Sequence, residues 1–257
     1  MFIDDLIVLG MAVPEEVTDG RRTVCMGGYS PSMGFIRIYP CRPDIGVHRW
    51  DILRIEVERN KVDTRKESWS IVNSNPEWER LNRRVETVRH IKSIEERRRI
   101  VADNVSPCVH AINERHDSMG IVRASAVHRA YFANNPQYGK MRQQVLIERP
   151  GEWVRFKAMY PVEPRLSYSC DSCKGQHDQK VLEWGAFEWM HKCPDKVEQY
   201  WENARLYSPE HDLYLLVGNQ IAQRTSFLVI NVIPVKRDDS KVKVPIGKQL
   251  PLFGVGQ

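Results

Sequence analysis

The chain has 257 residues, 42% hydrophobic and 28% charged, which suits a globular fold with a sizeable core and excludes collagen-like, low-complexity and wholly disordered classes. No stretch is long and apolar enough to read as a membrane span. The net charge of +5 permits an anionic partner without requiring one.

The chain opens on Met1, Phe2 and Ile3, with Asp4 and Asp5 ahead of the main apolar run. A secretory leader starts basic, so this start reads as a first strand. Residues 23–28 and 34–40 form two further apolar runs, and the Ser, Pro and Gly between them supply turn chemistry. In residues 50–59, Leu53, Ile55 and Val57 share one face while Ile52, Arg54, Glu56 and Glu58 share the other, as in a half-buried strand. Residues 1–74 therefore read as a β-rich unit, a small barrel or sandwich.

Residues 75–143 read as a helical segment. Asn75 is a cap residue with Pro76 behind it, and Trp78, Leu81, Val85 and Val88 recur at helical spacing. Ser93-Ile94-Glu95-Glu96 is a capping-box pattern, followed by Arg97, Arg98 and Arg99. Residues 144–235 read as a mixed part: strands over 145–148 and 153–157, a helix over 181–192, and buried strands over 212–218 and 225–233. Residues 236–257 read as a charged, flexible linker and a tail. The fold class expected is α+β.

Cys170-Asp171-Ser172-Cys173 is a knuckle that presents two sulfurs to one ion, and Gly175 lets the chain turn back toward His177. Tetrahedral zinc takes four ligands. Cys193 is the chosen fourth, ahead of His191; an open fourth position holding water would make the ion catalytic. Two unliganded thiols in a loop are the plain alternative. The six cysteines are unevenly spread in a chain that needs no staples, which points to reduced thiols and the cytosol.

Two segments resemble known proteins. The run Gln249-Leu250-Pro251-Leu252-Phe253 resembles the peptide by which bacterial DNA polymerases and repair proteins dock on the replication sliding clamp. The resemblance implies Gln249 as polar anchor and Leu250, Leu252 and Phe253 as plugs; the alternative packs these residues back as a terminal strand. Residues 168–184 resemble a group of bacterial and phage-associated proteins carrying Cys-x-x-Cys, a Gly-His pair and an acid-Trp-Glu triplet. Here Gln176 splits the Gly-His pair, and Gly185 replaces the last Glu. Residues 24–28 with 35–40 are similar to the opening of bacterial proteins that carry OB-like barrels. That similarity implies an OB-like barrel.

Basic and aromatic residues interleave in the first unit: Arg37, Tyr39, Arg42, Arg49, Trp50 and Arg54. On a small barrel such residues neutralise phosphates and stack on bases, which makes DNA or RNA the expected partner. The competing reading buries Tyr39 and Trp50 and leaves the arginines as a solvated face. The clusters His110, His116, Asp117 and His177, Asp178, Glu183 have side chains suited to metal-assisted hydrolysis, without nuclease spacing. Three functions follow: a nucleic-acid-binding accessory protein that docks on the clamp in replication, repair or phage defence; a metal-dependent nuclease of a defence or mobile-element system; or an adaptor within a larger complex of that kind.

Overall fold

In the computed structural model, which describes residues 1–74, 76–140, 155–173 and 175–237, the first apolar run forms β1 (Phe2–Met11). It is followed by β2 (Glu15–Glu16), β3 (Arg22–Ser30), β4 (Gly34–Cys41), β5 (Asp51–Arg59), β6 (Ser68–Ile71) and β7 (Val85–His90). β1 pairs with both β3 and β5, and register shifts on its two pairings let the long strand turn from one neighbour to the other. β4 pairs with β6 in parallel, and β6 pairs with β5. The ring β1-β3-β4-β6-β5-β1 is a closed five-stranded barrel, with β7 added along β5 and β2 along β3. Leu53, Ile55 and Val57 point inward and are fully buried, as the alternation predicts, beside Val24, Met26, Ile36 and Ile38. Burying each such side chain contributes roughly 1.5–3 kcal/mol.

Among the described residues of 75–143, the predicted helical segment gives way to strands and two short helices. Asn75 lies outside the described residues. Trp78–Arg84 is a 3-10 turn, and Val85 and Val88 sit in β7, where Val88 faces solvent. The Ser93 box does start a helix, α1 (Ile94–Asp103), with the Ser93 hydroxyl accepting the Glu96 N–H at 3.2 Å. After β8 (Val105–Ser106) and a short α2 (Val109–Glu114), the chain enters β9 (Met119–Asn134), the longest strand. Four alanines in β9 weaken its strand signal; its pairing with neighbours on both sides decides the outcome.

β9 is the middle of a second sheet of order β11-β10-β9-β12-β13, with β8 beside β9. Its other strands are β10 (Val162–Cys170), β11 (His177–Lys180), β12 (His211–Gln220) and β13 (Gln223–Lys236). The strand expected over 145–148 lies outside the described residues. Of 153–157, Arg155 and Phe156 carry no strand and Lys157 opens a 3-10 turn. The helix expected over 181–192 is α3 (Trp184–Lys192), with Phe187 and Met190 buried on one face. α4 (Gln199–Asn203) adds Tyr200 and Trp201 to the core. No helix among the described residues is long and apolar enough to cross a membrane.

The barrel packs on β12 and β13. Ile7 and Leu9 of β1 share a core with Tyr214, Leu216, Ile230 and Ile233. Asn231 donates to the Leu9 carbonyl at 2.6 Å, close enough that a Cβ on Gly10 would collide with Asn231. A buried polar staple crosses the same junction. Arg37 of β4 donates to the Ser118 hydroxyl at 2.8 Å and carbonyl at 3.1 Å, while Glu67 accepts from the Ser118 N–H at 3.0 Å and hydroxyl at 2.7 Å.

Candidate functional site

The strand order of the barrel places one cleft. Its floor is the outer face of β3 and β4: Thr23, Cys25, Arg37, Tyr39 and Pro40. One rim is the chain after β1, at Ala12, Val13 and Glu15. The other is the loop between β5 and β6, at Asn60, Lys61, Val62, Asp63 and Arg65. The opposite wall comes from the second sheet, where β12 turns into β13 at Asn219, Gln220, Ile221 and Ala222. The volume is about 840 Å³, within the range of ligand-binding clefts.

Hydrogen bonds hold the walls. Arg65 donates to the Asn219 carbonyl and, at 3.1 Å, to its side-chain oxygen, tying the β5–β6 loop to the hairpin. Burial pushes the Asp63 carboxyl up, but the bonds from Arg65 and Ser68 outweigh it and hold the group down at about 2. Tyr39 stands half-buried on the floor; its hydroxyl accepts from Thr23 at 3.2 Å, and burial raises its pKa. Tyr39 and Pro40 are joined by a cis peptide bond. The lining carries four cations, Arg37, Arg59, Lys61 and Arg65, against three carboxylates, Glu15, Glu58 and Asp63, so the cleft is only mildly cationic. Arg59 lies over the Trp69 ring at 3.9 Å, whereas Lys61 is exposed.

Of the six nucleic-acid residues expected from the sequence, Arg37 and Tyr39 line this cleft and the other four do not. Arg37 is 3% exposed, its guanidinium taken up by Ser118. Arg42 pairs with Asp44 and Glu79, and Arg54 with Asp4 and Glu86. Arg49 donates to the Val232 carbonyl at 2.8 Å. Trp50 is buried in the core shared with the second sheet, beneath Arg97.

The knuckle forms a second site. Cys170 ends β10 and His177 starts β11, so the hairpin brings them back together, with the Tyr168 and His177 rings 5.1 Å apart. Donor atoms of Cys170, Cys173 and His177 all lie within 4.8 Å of one another, and His177 Nε2 is 3.1 Å from Cys173 Sγ. These three can hold a metal ion. Burial pushes the Cys170 thiol up to about 12, raises Cys173 and lowers His177. Cys193 is not one of the three donors gathered within 4.8 Å, and neither is Cys108. Cys193 sits at the C-terminal end of α3, its N–H bonded to the Trp189 carbonyl at 2.8 Å.

The two hydrolytic clusters do not assemble. Asp117 pairs with Arg115 and Lys66, Asp178 accepts from Tyr131 and Arg165, and Glu183 accepts the Val232 N–H. Among the described residues, the Cys170, Cys173 and His177 group is the one gathering of three such donors. The sequence reading missed the β5–β6 loop and the β12–β13 turn as cleft walls. The charged 60–65 stretch between two strands was the available signal.

Gln249, Leu250, Leu252 and Phe253 lie outside the described residues. Residues 3–103 match a family model described as Domain of unknown function (DUF8758). Residues 105–247 match one described as Domain of unknown function (DUF8757). The two matches meet where α1 hands over to β8. No curated protein matches the chain.

Proposed function

We propose, for a chain that belongs to the family described as Domain of unknown function (DUF8757), that it is an accessory protein that binds single-stranded nucleic acid in the barrel cleft. The observation that carries this is the position of the cleft. Counting the five barrel strands in chain order, the ring runs first, second, third, fifth, fourth, with the third and fifth parallel; we take this as OB-like. In such barrels the face of the second and third strands and the loops after the first and fourth bind oligonucleotides, and the same elements line the cleft here.

The chemistry suits a strand rather than a duplex. An exposed base can stack on Tyr39, and Lys61 and Arg59 at the rim can meet phosphates. With about two phosphate contacts on a single strand, the logarithmic salt slope is roughly −1.4. Binding of a short fluorescent oligonucleotide, single- and double-stranded, across a salt series tests the reading. Preference for the single strand with a shallow slope is expected; equal binding of duplex with a steep slope would point to a basic surface elsewhere.

Two further parts belong to the same proposal. Thiolate and imidazole ligands suit zinc, and a site with its ligands in place stabilises the fold. In the tail, Gln249, Leu250, Leu252 and Phe253 dock on the bacterial sliding clamp and bring the strand-binding cleft to replicating or repaired DNA. The two weak contacts together hold better than either does alone.

A further inference from the structure

We propose that Cys108 is the fourth ligand of the metal site, so that one ion ties the corner before α2 to the β10–β11 hairpin through Cys108, Cys170, Cys173 and His177. The inference rests on the zinc reading above and goes beyond it by assigning the missing ligand. Three sulfurs and one imidazole nitrogen make a closed, structural zinc set with no position left for water.

Several contacts carry it. Cys108 is buried in the same core cluster as Cys170, and Cys173 packs against that cluster. The Ser172 N–H donates to the Pro107 carbonyl at 3.3 Å, so the backbone of the knuckle is laid directly against the residue before Cys108. The Cys108 sulfur itself accepts only a long 3.4 Å bond from the Ala111 N–H, a weak hold to give up for a metal–thiolate bond. His110, with its ring 5.7 Å from that of His177, is the nearest rival, but it is exposed and the weaker zinc donor beside a buried thiol.

The arrangement also explains how two segments distant in sequence are held without a disulfide. The six cysteines are free, and the metal would close a loop of more than sixty residues between 108 and 177. Folding and metal binding then become one equilibrium for this corner.

The test is zinc K-edge X-ray absorption on full-length protein purified without added metal, which reads the ligand set of the native chain. Three sulfurs at about 2.3 Å and one nitrogen at about 2.0 Å are expected. Two sulfurs would overturn the assignment while leaving zinc in place; no zinc at all would remove the underlying reading as well. Zinc retention against a competing chelator then separates the cysteines. Cys108→Ser should weaken retention at least about tenfold, as losing a ligand costs no less than losing a group that only orients one, and Cys193→Ser should leave it unchanged. The reverse pattern would restore Cys193 and refute Cys108. If Cys108→Ser does not fold, the Cys193→Ser protein decides: a spectrum that keeps three sulfurs supports Cys108, and one that falls to two refutes it.

Discussion

Arg37 distinguishes a buried staple from a nucleic-acid contact. Its side chain is 3% exposed and reaches across the junction to Ser118, where Glu67 meets the same residue from the other side. Arg37→Met keeps the apolar stem but removes the charge and both good donors. Glu67, itself 6% exposed, then loses its nearby cation. Removing one partner from such a buried set costs about 3–5 kcal/mol. At roughly 2–4 °C per kcal/mol for a chain of this size, Tm should fall by about 10 °C. Arg37→Lys keeps the charge but not the forked geometry and should recover only part of the loss. A double-mutant cycle of Arg37→Met with Glu67→Gln, read by urea unfolding, should show coupling of roughly 1–3 kcal/mol. An unchanged Tm together with lost oligonucleotide affinity would refute the staple and return Arg37 to the phosphates.

Asp63 gives a pH signature. Its carboxyl is held down at about 2, so its stabilisation is full above the unfolded pKa near 4 and is lost as pH falls toward 2. Asp63→Asn should cost about 2 kcal/mol at neutral pH and flatten that acid limb; an unaltered acid limb by circular dichroism would contradict the pairing with Arg65. For the tail, a peptide of residues 248–257 should bind the bacterial clamp in a fluorescence assay, and Leu252→Ala with Phe253→Ala should abolish it. Truncation before Gln249 should leave Tm unchanged; a large drop would place Phe253 in the core instead.

The barrel was legible because its strands alternate cleanly: the Leu53, Ile55, Val57 face predicted the inward side, and the Ser-Pro-Ser turn ending at Gly34 marked a hairpin. The central stretch was not, because Val85 and Val88 fit a helical spacing as well as a strand, and only pairing along β5 chose between them. β9 hid for the same reason, its alanines lacking intrinsic strand preference. At the knuckle, Cys170, Cys173 and His177 are close in sequence, so local spacing found them. Cys193 was chosen on the expectation that a helix would return it. The arginines misled in a different way: composition shows charge, but partners such as Glu79, Asp4 and Ser118 come from distant positions that no local pattern reveals.

The most direct measurement of the central proposal is photo-crosslinking of a single-stranded oligonucleotide to the full-length protein, with the attached peptides identified by mass spectrometry. Crosslinks should concentrate on Tyr39 and on residues 60–62, and Tyr39→Ala should weaken binding by roughly 1–3 kcal/mol, the worth of one stacked base. Crosslinks confined to the Arg42 and Arg54 surfaces, with Tyr39→Ala binding as well as the parent chain, would contradict it.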